Sequence, residues 1–229
     1  MDRFLNRGFL CREEKKGGAR WALPFFLGLV CLVAALRADT DGVPVSAGFS
    51  GSLDAGARLL YTNPAILDAL AASAGFPKTG GLWLLWGGGA TVTPGPLRAQ
   101  ISAWEGSLAA AAGQNSTVWR LGLAALTLEQ AYPVSDFIFT AGVGVEVGSL
   151  EGSLIGRGGL TGVESALFGY NLQAGVRWPA QTRLAFLLRG GWEYLAGPGN
   201  WHGTLGSGLG STFFELGGPT GTLQLELSL

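Results

Sequence analysis

The segment Thr222–Leu229 alternates without a break: Thr222, Gln224, Glu226 and Ser228 fall on one phase, Leu223, Leu225, Leu227 and Leu229 on the other. A β-strand sends successive side chains to opposite faces, so this segment has one apolar and one polar face. The same pattern recurs in three earlier stretches. Phe137, Phe139, Ala141, Val143, Val145 and Val147 oppose Ile138, Thr140, Gly142, Gly144, Glu146 and Gly148. Ala166, Phe168, Tyr170, Leu172, Ala174, Val176 and Trp178 oppose Leu167, Gly169, Asn171, Gln173, Gly175 and Arg177. Leu97, Ala99, Ile101 and Ala103 alternate with Arg98, Gln100 and Ser102. Such a chain must build an antiparallel sheet whose two faces meet different surroundings.

Short proline turns set the connectivity. Four hairpins are expected: 82–92 with 97–106 around Pro94-Gly95-Pro96, 117–130 with 136–148 around Pro133, 166–178 with 183–195 around Pro179, and 211–217 with 222–229 around Pro219. Proline fixes φ and ends a strand that it cannot continue. The Gly-, Ala- and Ser-rich stretches 107–116, 149–165 and 196–210 read as connectors, and the strand spacing predicts an all-β barrel or sandwich. Residues 39–60 carry a weaker pattern, in which Val43–Phe49 reads as a short strand and Gly51–Gly56 as a loop. One helix is predicted over 63–75, with Asn63 as N-cap, Pro64 at the first helical position and Gly75 at the stop. Its apolar stripe requires a packing partner, expected to be a barrel end or a sheet face.

Residues 1–38 read as a secretory signal. They hold seven Lys/Arg against three Asp/Glu, then an apolar run from Trp21 to Leu36, then Ala38 before the acidic Asp39-Thr40-Asp41. The run is shorter than the roughly 20 residues a transmembrane helix needs. The expected organisation is a signal over 1–38, a segment with the helix over 39–80, and a barrel over 81–229. Both cysteines, Cys11 and Cys31, lie in the leader, so the exported part has no disulfide and no thiolate metal site. That part carries 8 basic and 13 acidic residues with no basic cluster, which argues against nucleic acid as a partner. It also carries 35 of the 39 glycines, a composition suited to strands that curve tightly or approach closely.

No catalytic constellation is visible. His202 is the only histidine and stands in a Gly-rich stretch, Gly87-Gly88-Gly89 has no following Lys-Ser/Thr, and no Gly-x-Ser-x-Gly elbow is present. A non-enzymatic protein without cofactor is expected. The polar strand face is more informative. Arg98, Gln100, Arg120, Glu146, Asn171, Gln173, Arg177, Arg189, Glu193, Gln224 and Glu226 would line a narrow lumen and neutralise one another if the apolar face meets lipid. Trp83, Trp86, Trp104, Trp119, Trp178, Trp192, Tyr132, Tyr170 and Tyr194 fall near strand ends, as in an interfacial girdle. In a soluble barrel or sandwich the apolar face would instead be the core, and a small apolar ligand between the sheets becomes the expected partner.

Leader, hairpins, eight strands and the dyad strand Thr222–Leu229 resemble the small eight-stranded bacterial outer-membrane β-barrel proteins over roughly residues 81–229. The resemblance implies an antiparallel up-and-down barrel, an outer-membrane location with the bilayer as partner, and a structural, adhesive or minor solute-passage role. The alternative is a soluble periplasmic or secreted β-barrel or sandwich. Two features depart from the family pattern. The chain ends in Leu229 and not an aromatic residue, and the short turns follow strands one, three, five and seven where the family places them after two, four and six. Under either reading Leu225→Arg is expected to be damaging, and Gln224→Leu milder.

Overall fold

A computed structural model describes residues 49–63, 65–73, 75–156, 159–203 and 212–229; the predicted signal over 1–38 and most of the predicted strand Val43–Phe49 lie outside them. Eight antiparallel strands form a closed ring in chain order: β1 Phe49–Tyr61, β2 Leu82–Pro94, β3 Leu97–Ala112, β4 Asn115–Val134, β5 Phe137–Gly156, β6 Gly159–Trp178, β7 Leu184–Gly203 and β8 Thr212–Ser228. Each strand pairs with its chain neighbours, and β8 closes on β1 through nine pairs from Ser52↔Ser228 to Leu60↔Thr220. The ring leaves no free edge to template association.

Three corrections to the expected strands share one origin. The barrel begins at Phe49, not at residue 81, and Gly51–Gly56 is part of β1 and not a loop. Thr212–Ser228 is one strand, not a hairpin. Among the described residues the presumed connectors belong largely to the far halves of β3 to β7, so His202 lies within β7 and not in a loop. These stretches are rich in Gly, Ala and Ser, which carry little intrinsic strand preference, so tertiary pairing decides their state. Pro219 is tolerated in β8 because it lies just past the last β1–β8 pair, Leu60↔Thr220, where one side of the strand has no ladder partner. Gly218 beside it lies against the Tyr61 carbonyl with no room for a Cβ.

With these corrections the departure in turn placement disappears. The barrel end where β1 begins and β8 finishes, called here the near end, carries the turns after β2, β4 and β6. The far end carries the β1–β2 connection and the turns after β3, β5 and β7. In the near-end turns Gly95 and Ser135 take positive φ (64° and 55°), the backbone state that a tight strand reversal demands.

The helix α1, Ala65–Ser73, lies in the β1–β2 connection. The Asn63 side chain accepts a bond from the Ala65 amide at 3.0 Å. At the other end Gly75 takes φ +76°, its amide donates to the Ala72 carbonyl, and the Phe76 amide donates to Ala71, a Schellman ending. Leu67 joins the cluster formed by Leu60, Trp83, Trp119 and Phe214, while Ala71 and Phe76 pack on Leu154 of β5. Asn115 Nδ2 and Thr117 Oγ1 of β4 donate to the carbonyls of Gly75 and Pro77 at 2.9 Å each. The connection thus leaves β1, crosses the far mouth to β4 and β5, and returns to β2.

The outward face of the near half is a belt of exposed apolar side chains, including Leu126, Leu128, Val143, Val145, Leu172, Leu188, Leu223, Leu225 and Leu227. Aromatics border it on both sides. Tyr132, Phe137, Phe139, Trp178 and Phe186 lie toward the near end, and Trp86, Phe168, Tyr170, Trp192 and Tyr194 toward the far end. Tyr170 stacks on Tyr194 with centroids 5.6 Å apart. Trp83, Trp104 and Trp119 do not belong to this girdle as the sequence suggested; they are buried inside. Beyond the belt the outward residues become mixed: Ser107, Arg120, Ser149, Glu151, Glu164, Asn200 and Glu215 stand there with the exposed Ile155, Leu160 and Phe213. A 20-residue strand such as β5 is about 65 Å long, and at a tilt near 40° it stands roughly 50 Å tall. An apolar band of about 25 Å then covers only its near half.

Leu225 is 44 % exposed in the middle of this belt. Leu225→Arg is expected to cost about 2–4 kcal/mol in a bilayer. The measurement is refolding yield in lipid vesicles compared with detergent micelles, with the loss confined to vesicles; equal refolding in both media would remove Leu225 from the lipid-facing phase.

Candidate functional site

The interior is built in three layers, because the inward phase of each strand changes chemistry along its length. From the near end these layers are a charged layer, a second charged layer around Arg58, and an apolar plug beneath α1.

In the first layer Glu226 of β8 accepts from Arg98 Nη2 at 2.6 Å and from Arg177 Nε at 2.7 Å. Arg177 also donates through Nη2 to the Thr182 carbonyl at 3.0 Å and to Ser228 Oγ at 3.0 Å, and through Nη1 to the carbonyls of Pro179 and Ala180, which ties the β6–β7 turn to the barrel floor. Glu129 of β4 accepts from Arg189 Nε and Nη2 at 2.8 and 3.0 Å, in a forked pair, and from Gln173 Nε2 at 2.8 Å. Arg98 Nε stands 3.6 Å from Glu129 and links the two pairs. Asp54 of β1 accepts from Gln100 Nε2 at 2.8 Å and from Gln224 Nε2, whose own oxygen accepts from Arg189.

In the second layer Arg58 Nη2 donates to Glu146 at 2.9 Å and to Glu193 at 2.5 Å. Its guanidinium lies 5.8 Å from the centroid of the Trp104 ring, and Asn171 Nδ2 donates to Glu146 at 2.9 Å. Above it Trp83, Trp119, Leu121, Leu150, Leu167, Leu195, Phe214 and Leu216 fill the ring, with Trp119 and Phe214 edge to face at 6.4 Å. A small polar cavity between the layers, lined by Arg58, Gln100, Glu146, Asn171, Arg189 and Gln224, has room for about one water molecule.

Glycines make this filling fit. Gly144 faces inward, and a Cβ there would meet Thr127 Oγ1 at 2.6 Å and Asn171 Nδ2 at 2.8 Å. Small and long residues alternate inside a ring too narrow for long side chains from every strand.

Of the residues expected to line the lumen, Arg98, Gln100, Glu146, Asn171, Gln173, Arg177, Arg189, Glu193, Gln224 and Glu226 all point inward and share this network. Arg120 does not. The pair Arg98↔Glu129 fixes the odd-numbered residues of β4 as inward, so Arg120 lies exposed on the outside opposite Glu151. Next to it the strand is apolar on both phases from Leu121 to Leu126, which hides the phase from periodicity alone. Sequence reading missed Asp54, Arg58 and Glu129. The signal for the first two was present: Leu53, Ala55, Ala57, Leu59 and Tyr61 alternate with Ser52, Asp54, Gly56 and Arg58 just as β8 does.

Gln224→Leu removes a donor from Asp54 and an acceptor from Arg189, at about 1–3 kcal/mol, which remains milder than Leu225→Arg. Arg189→Met leaves the Glu129 carboxylate short of its forked partner, at about 3–5 kcal/mol. The double variant Arg189→Met/Glu129→Leu should recover much of that loss. Urea midpoints of the fast-migrating unboiled gel band check all three; an unshifted midpoint for Arg189→Met would show the network to be solvated.

No protein-family model matches the chain, and no curated protein sequence matches it. Two of the solved structures that share its fold are the following. One is Neisserial surface protein A (NspA), with TM-score 0.50 and 13% identity, covering 80% of this chain and 98% of that one. The other is a major outer membrane protein from Thermus thermophilus, with TM-score 0.50 and 11% identity, covering 80% of this chain and 100% of that one. At such identities the likeness concerns the backbone, and the fold of this chain is that of the eight-stranded outer-membrane β-barrel.

Proposed function

We propose that the chain is an exported protein of the bacterial outer membrane, with a structural or adhesive role and no catalytic activity. The observation that carries this reading is the inverted arrangement of polarity: large apolar side chains encircle the outside of the near half, while that half's charges are buried and paired inside. In water such a belt is an aggregation surface far larger than a soluble monomer shows. In lipid it is the required one, and a closed ring leaves no backbone group unbonded there. The reading of 1–38 as a signal supports export. The near end, with its short turns, would face the periplasm. The far half, which carries the outward Arg120, Glu151, Glu164 and Glu215, would stand outside the cell.

Of the roles considered, solute passage has the least support. The cavity between the ion-paired layers has room for about one water, and the aromatic plug and the connection across the far mouth lie above it. The soluble alternative requires an apolar ligand cavity, whereas the inward space is filled by Trp83, Trp119, Phe214 and their neighbours.

Two measurements test the proposal together. Fractionation of the full-length protein should recover it in the outer membrane, with a heat-modifiable gel band. In planar bilayers the refolded protein should show no steady conductance. Soluble periplasmic recovery would overturn the membrane assignment; stable open channels would overturn the closed structural role while leaving the location intact.

A further inference from the structure

The charges inside the barrel do not balance layer by layer. In the first layer Asp54, Glu129 and Glu226 face Arg98, Arg177 and Arg189, three against three. In the second, Glu146 and Glu193 face Arg58 alone. These three side chains are all but sealed from solvent, with Glu146 2% and Glu193 0% exposed. Arg58 satisfies one oxygen of each carboxyl. Glu146 Oε2 and Glu193 Oε1 accept from no donor group of the protein, nor does the neighbouring Asn171 Oδ1. One nitrogen, Arg58 Nη2, holds both carboxyls, at 2.9 and 2.5 Å, so the two groups converge on a single donor, but two carboxylates offer only acceptors.

We infer that Glu146 and Glu193 bind one proton between them, as an acid–carboxylate pair clamped by Arg58. One proton supplies the missing donor, removes the repulsion between the two groups and makes the whole interior neutral. It belongs to the pair and not to either residue. The charged groups facing the pair across the cavity do not compete for this role. Arg189 is engaged by Glu129 and Gln224, and both oxygens of Asp54 already have amide donors. Asn171 from β6 is neutral, and Arg58 is the cation that points at the pair. This assignment depends on the barrel interior alone and stands whether or not the far half is adhesive.

Infrared spectroscopy of the refolded protein at neutral pH in deuterated buffer tests it, because a protonated carboxyl has a carbonyl band that a carboxylate lacks. The expected result is one such band in the wild type, lost in Glu193→Gln and in Glu146→Gln and kept in Asp54→Asn. Each glutamine supplies an amide donor in place of the proton, so both variants should keep the fast-migrating unboiled band. Should either fail to fold, wild-type protein labelled with carbon-13 glutamate decides the matter: the band must shift with that label and stay put with labelled aspartate. No protonated-carboxyl band in the wild type, a band surviving both glutamate substitutions, or a shift with aspartate alone would overturn the inference. Stability that depends on sodium ion, with no such band, would put a cation in the proton's place and overturn it equally.

Discussion

The nine-pair ladder between β1 and β8 is the interaction on which the rest of this molecule depends. It is short beside the nineteen pairs of β5 and β6, and it lies in the near half, where the outward side chains are apolar. An open edge there would expose unpaired amides and carbonyls to hydrocarbon, at several kcal/mol per group. Closure removes that cost and at once creates another requirement, because eight strands enclose a space that side chains must fill.

The filling explains the arrangement of charge. Arginine and glutamate are long enough to reach across the ring from opposite strands. Arg58 of β1 meets Glu146 of β5 and Glu193 of β7, and Arg98 of β3 meets Glu226 of β8. Forked and shared contacts stabilise these ions where single contacts would not offset their desolvation. Toward the far end the same ring contains Trp83, Trp119 and Phe214, while charged groups such as Arg120, Glu151, Glu164 and Glu215 join the outer face. The inward chemistry therefore changes from charged to apolar along the barrel, as the outward face gains charge.

Where surroundings are uniform along a strand, the sequence is readable. The near half of β5, β6 and β8 shows clean alternation, and six of the lumen residues, Glu146, Asn171, Gln173, Arg177, Gln224 and Glu226, could be named from it. Asp54 and Arg58 follow the same rule in β1 but stand in a segment whose glycines suggested a loop. Arg120 lies where the inward chemistry changes, and there an apolar inward phase next to an apolar outward phase cancels the periodic signal. Trp83, Trp104 and Trp119 were read as girdle residues for the same reason: near that change an aromatic serves equally well inside as core or outside as anchor.

Alternation alone determined that this chain forms a two-faced antiparallel sheet, and the caps at Asn63 and Gly75 determined its helix, because both are consequences of local backbone geometry. Only the tertiary structure decided which face points inward, where β1 and β8 begin, and that the helix crosses the far mouth. Those outcomes depend on ring closure and on matching charges contributed by strands up to 170 residues apart, such as Asp54 and Gln224, and no local pattern carries that information.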